Sequence, residues 1–166
     1  DRISSSLPVG AKPNKVPEFV NFRPTNTYIE SNSKQTHMRI GSLGISRDDE
    51  DYFPMILGNH ILGGSSLVSK LFTEIRTKRG LSYSVYSYFI PTEIKGPFIL
   101  GLQTSGGKQD IALRESKRVL KNFIENGPSP ESFELAKENL INGFINQIDS
   151  NRKMVNYISM IGLARY

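Results

Sequence analysis

The sequence predicts an α+β domain of two layers, a largely antiparallel sheet with helices packed on one face. Its 166 residues suit a single core, because a chain of that size buries about two-thirds of the surface its unfolded form exposes. Segments with strand and helix periods follow in the order two strands, two helices, two strands, then helices, which favours antiparallel pairing with the helices gathered over one face. No internal repeat breaks that order.

Residues 1–25, rich in Pro, Ser and Gly, read as a linker or arm with one short extended piece around Glu18 to Phe22. The domain proper is expected over residues 26–166. Thr27 to Glu30 and Gln35 to Ile45 read as two strands around the turn formers Ser31, Asn32 and Ser33. From Ser46 the spacing turns helical. The acidic run before Tyr52 suits a helix N-terminus, Pro54 fits a first turn, and Phe53, Ile56 or Leu57, and Ile61 make the apolar stripe before Gly63 and Gly64 end the helix.

A second helix is expected over 65–78, burying Leu67, Val68, Leu71, Phe72 and Ile75, with Gly80 as a left-handed C-cap. Leu81 to Ile90 is β-branched and aromatic enough for a strand, and Gly96 to Ser105 is its hairpin partner. Helices follow at Gln109 to Asn126 and Pro130 to Asp149. Gly127 closes the first, and Ser129 caps the second with Pro130 in its first position. A last helix covers Arg152 to Ala164.

Composition removes several function classes. No run approaches the ~20 apolar residues of a bilayer span. Without cysteine there is neither a disulfide framework nor a thiolate metal site or nucleophile. The charge of +5 is spread along the chain and interleaved with acids, a weak signal for nucleic acid. RGLSYSVY, from Arg79, keeps the Arg, Gly and final aromatic of an RNA-recognition strand, but Leu81 stands where a stacking aromatic belongs. GLQTSGGKQD, from Gly101, fails as a phosphate loop because five residues separate Gly101 from Gly107-Lys108 and Gln109 replaces the Ser or Thr that would hold Mg²⁺. His37 and His60 each lack a second ligand at metal-binding spacing, and there is no HxxEH or HExxH run. The chain therefore carries no catalytic engine of its own, and no cofactor is expected on it.

The stretch NHILGGSSLVSKLFTEIRTKRGLSYSVYSYF, residues 59–89, resembles the zinc-free second half of the insulinase family of zinc peptidases, which includes pitrilysin and the mitochondrial processing peptidase. In that half a helix leads to an LGG turn, then a helix of the form SxLFxxIRxxxGLxY runs into a strand. QTHMRIGSLGISRDDEDYFPMILGNHILGG and ENGPSPESFELAKENLINGF resemble its preceding and following segments. The similarity runs from about Gln35 onward. Family members usually continue past Tyr166, so the chain looks trimmed.

That resemblance implies an inactive, substrate-binding C-terminal domain of a metallopeptidase, working with a zinc-bearing HxxEH domain or subunit that encloses a peptide substrate in a common chamber. It places an Arg and a Tyr seven positions apart near the substrate, here Arg76 and Tyr83. Both are hydrogen-bond donors suited to holding a peptide carbonyl and the oxyanion that forms on it. A packing reading stands beside this one: an Arg at a helix C-terminus favours the macrodipole, and strand tyrosines commonly pack. Arg79 and Tyr86, the neighbours most easily confused with the pair, are expected to be structural or rim residues. Gly63 and Gly64 resemble a glycine-rich loop that helps admit substrate in the processing peptidase, with an ordinary helix-helix turn as the other reading. Two alternatives remain: a structural relative without peptidase work, and an RNA-binding module. Compartment is open, a bacterial envelope being the setting of many relatives.

Overall fold

In the computed structural model, which describes residues 4–6, 8, 10–11, 14–18, 22–65 and 67–164, the alternation in QTHMRIGSL produces the strand β1, Gln35–Leu43. β2 (Ser84–Phe89) and β3 (Pro97–Ser105) complete a sheet of order β1-β3-β2, antiparallel throughout. Even-numbered residues of β3 face the core, where Leu100 and Thr104 are fully buried. Register sets Met38 and Val85 against Leu102, and Ile40 and Ser87 against Leu100. The odd-numbered residues of β3 share the opposite face with His37, Arg39, Tyr86 and Tyr88.

Helices cover the core face. Helix α1, Tyr52–Asn59, widens into a π-helical turn over His60–Gly64. A second π-helical segment, Phe72–Thr77, buries Ile75 completely. Helix α2, Gln109–Asn126, presents Ala112, Ser116 and Val119, a stripe at i, i+4 and i+7 that meets the sheet. Helices α3, Pro130–Gln147, and α4, Asn151–Ala164, follow. Ser129 caps α3 as expected, its Oγ accepting from the Ser132 N–H at 3.2 Å. Gly80 and Gly127 hold the left-handed conformations, φ 58° and 67°, that cost an L side chain strain.

Three expectations are corrected. Thr27 to Glu30 forms no strand; Tyr28 and Ile29 are almost fully exposed, and local β-propensity without a ladder partner leaves the backbone in water. The second helix begins later than Ser65. Ser69, whose Oγ accepts from the Phe72 N–H at 3.3 Å, provides the cap, so Leu67 and Val68 precede the helix and are about 70% exposed. Phe53 points outward, 79% exposed; Ile56 and Leu57 of α1 are half-buried, and the stripe is buried at Ile61 in the π-helical turn that follows. The extended piece placed around Glu18 to Phe22 falls mainly outside the described residues.

Candidate functional site

The stretch from Arg76 to Tyr83 joins the second helical segment to β2. Its helix closes through a bond from the Gly80 N–H to the Arg76 carbonyl, 3.0 Å, the left-handed cap that only a glycine adopts without strain. Leu81 and Ser82 then turn inward and are buried. Tyr83 emerges again, 58% exposed, with its backbone N–H on the Gln103 carbonyl at 2.9 Å. Arg76 therefore occupies the last helical turn and Tyr83 the residue before β2, on either side of the reversal.

Arg76 and Arg79 differ sharply in what holds them. Arg79 Nη1 donates to the Glu74 carbonyl and to Glu74 Oε2, each at 2.7 Å, and its Nε lies 3.2 Å from Glu115 Oε2 on α2. It ties the helix end to α2. Arg76 has no carboxylate partner among the described residues; its guanidinium rests on the Phe72 ring, 4.8 Å from the centroid, a cation–π contact that leaves the N–H edge available. Tyr83's hydroxyl likewise makes no hydrogen bond among the described residues. Hydrogen bonds from Lys78, then Arg79, hold the Glu74 carboxyl below the ordinary glutamate range. The Arg118 hydrogen bond does the same for Glu115.

Gly63 lies against the sheet. A Cβ there would collide with Ser87 Oγ, fall 2.6 Å from the Ser87 nitrogen and 2.7 Å from Leu71 Cδ1. Asn59 fastens the same place, its Nδ2 donating to the Ser87 carbonyl at 3.1 Å and its Oδ1 accepting from Ser87 Oγ at 2.7 Å. Close approach of helix to strand thus gives Gly63 a packing reason. Gly64 is exposed, tight only against Asn59.

The two histidines do not come together. His37 lies on the open sheet face, its Nδ1 3.1 Å from Gln103 Nε2. His60 lies in the helical layer beside a cavity of about 310 Å³ that Ile61, Lys70, Thr73 and Asn139 also line. Its Nε2 is buried without a partner, and burial lowers its pKa. No group of three or more His, Asp or Glu converges among the described residues.

Comparison with known proteins identifies the family. The family described as the peptidase M16 inactive domain matches residues 2–140. The chain belongs to that family. A solved M16 inactive domain from Pseudomonas fluorescens superposes with a TM-score of 0.73 at 37% identity, over 80% of this chain and 31% of that one. The inactive peptidase domain of a putative zinc protease from Bordetella parapertussis shares the fold at 19% identity, TM-score 0.62, over 76% of this chain and 68% of that one. Among curated relatives, the uncharacterized zinc protease YmxG of Bacillus subtilis is 28% identical over 83% of this chain and 33% of its own length. An uncharacterized zinc protease of Rickettsia bellii is 31% identical over 75% and 30%. The M16 chain spans about a third of the length of the curated relatives it matches. Its own donor set does not fit their zinc: the two histidines sit in different layers, Glu74 is the one carboxylate that lines the cavity beside His60, and no group of three ligands forms among the described residues.

Sequence reasoning did not single out the open sheet face. The alternation in SVYSYF puts Tyr86 and Tyr88 on one side, but that Gly101 and Arg39 lie across from Tyr86 follows only from long-range register.

Proposed function

We propose that this M16 inactive domain is the substrate-holding half of a zinc metalloendopeptidase, and that Arg76 and Tyr83 are its carbonyl-binding donors. The observation that carries the reading is the contrast within one reversal. Arg79 is committed to Glu74 and Glu115, whereas Arg76 and Tyr83 expose donors with no partner among the described residues. A guanidinium and a phenolic O–H have no competing basic function there. Their role in the reaction is to hold a peptide carbonyl and to strengthen that hold as negative charge develops on its oxygen. A zinc-bearing half supplies the hydrolytic chemistry, and the substrate is an extended peptide small enough for a chamber between the halves. Gly64 retains an exposed backbone that a substrate could meet; Gly63 enters as packing.

Cleavage of a quenched fluorescent peptide by this chain, by an HxxEH half from the same source, and by the mixture tests the reading. Activity is expected in the mixture alone, with Arg76→Ala and Tyr83→Phe each lowering kcat by roughly 10²–10³, the usual loss for one oxyanion donor. Because both side chains are exposed, their unfolding midpoints stay close to the parent's. Arg79→Ala should do the reverse, lowering the midpoint while sparing the rate per folded molecule. Inactivity of every mixture would favour a purely structural relative.

A further inference from the structure

On the face of the sheet away from the helices, resting on the reading above, we infer that Arg39, Tyr86 and Tyr88 form a subsite for an extended peptide carrying an acidic residue two positions from an aromatic one. Tyr86 and Tyr88 stack at 5.9 Å with ring planes 19° apart, each about a third exposed. Gly101 lies opposite Tyr86 in register, and a Cβ there would fall 2.6 Å from the Tyr86 hydroxyl. The outer end of the ring therefore lies over the β3 backbone, and the missing side chain is what lets it lie flat. Arg39 is paired with the other side of Gly101, two strand spacings from Tyr86, or about 10 Å along the sheet.

Charge identifies the occupant. The three strands contain no Asp or Glu, and exposed Arg39 has no carboxylate partner among the described residues. An aromatic shelf beside an unneutralised guanidinium complements an apolar ring and a carboxylate two positions apart on an extended chain, since alternate side chains of such a chain point the same way. The next row is already satisfied within the protein: Ser84 Oγ donates to Gln103 Oε1 at 3.2 Å, and Gln103 Nε2 donates to His37 Nδ1 at 3.1 Å. Recognition accordingly centres on Arg39 and the tyrosine pair.

Fluorescence anisotropy of the chain with labelled ten-residue peptides containing Phe-Ala-Glu, Phe-Ala-Gln or Phe-Ala-Lys tests this. The Glu peptide should bind about 3–5-fold more tightly than the Gln peptide, the range of an exposed ion pair, and the Lys peptide most weakly. Arg39→Gln should abolish the Glu–Gln difference, while Arg152→Gln on α4, an equal change in net charge, should preserve it. Tyr88→Ala should weaken all three by about 3–10-fold. Equal binding of the Glu and Gln peptides, an equal effect of Arg152→Gln, or no binding at all would overturn the subsite. Since no cleavage is read, failure of the Arg76–Tyr83 reading would show separately, in the mixed-half assay.

Discussion

Helices α2 and α3 are each 18 residues long, yet they stand in opposite relations to the core. In α2, Ala112 and Ser116 are inaccessible to solvent and Val119 nearly so. In α3 Ala136 alone is buried among the described residues, and Leu135, Ile141 and Ile145 are more than half exposed; α4 continues in the same way with Ile158 and Met160. Capping and propensity can begin and end a helix, but most of its stability in a protein comes from packing an apolar stripe on something else. The region from β1 to α2 has that partner in the sheet, and α3 with α4 has little of it among the described residues.

Core truncation is the largest effect with which to break this comparison. Leu100 is fully buried at the centre of β3, so Leu100→Ala should cost about 2–5 kcal/mol. Ile145, 62% exposed, should tolerate the same substitution within about 0.5 kcal/mol. Urea unfolding followed by circular dichroism reads both. Similar losses at the two sites would mean that α3 is packed in solution as firmly as the sheet.

A smaller effect sharpens the same boundary. Gly63→Ala inserts a methyl group between Ser87 and Leu71, where the gap is already short of contact distance, and overpacking of this kind costs about 1–3 kcal/mol. Gly64→Ala meets Asn59 at 3.0–3.1 Å and should cost less. A reversed order in the same unfolding experiment would place the tight contact at the exposed glycine instead.

How legible this was depended on the range of the interaction. Gln109 to Asn126, the Ser129–Pro130 start and the turn at Gly80 could be read from neighbouring residues alone. Leu67 and Val68 fit the apolar spacing of a helix, but the helix starts after them at Ser69, whose Oγ caps it, and periodicity does not fix where a helix begins. Phe53 fitted a helical stripe that the sheet does not reach. Arg76 and Tyr83 stood out through family resemblance, since spacing alone leaves a guanidinium at a helix end equally suited to the macrodipole. The partners of Arg79 were hidden for a related reason: Glu74 is five residues away, but Glu115 is brought in by packing of α2.

The smallest expected effects are in acid, and they separate two parts of the helical layer by pH. His60 has a lowered pKa because burial disfavours its charged form, so the unfolded chain binds a proton more readily. Stability should start to fall as pH drops through the unfolded histidine value of about 6.5. Glu74 is lowered by hydrogen bonds from Lys78 and Arg79. Its contribution is complete above the unfolded value of about 4.3 and is lost as pH falls through the depressed folded value. The exposure of this ion pair and screening by salt keep the second step modest. His60→Gln should flatten only the upper part of a midpoint-against-pH curve, and Glu74→Gln only the lower. Glu74 and Lys78 also line the cavity beside His60, so if Glu74→Gln flattened the upper part as well, the two titrations would be coupled across that cavity, making the helical layer one electrostatic unit rather than two.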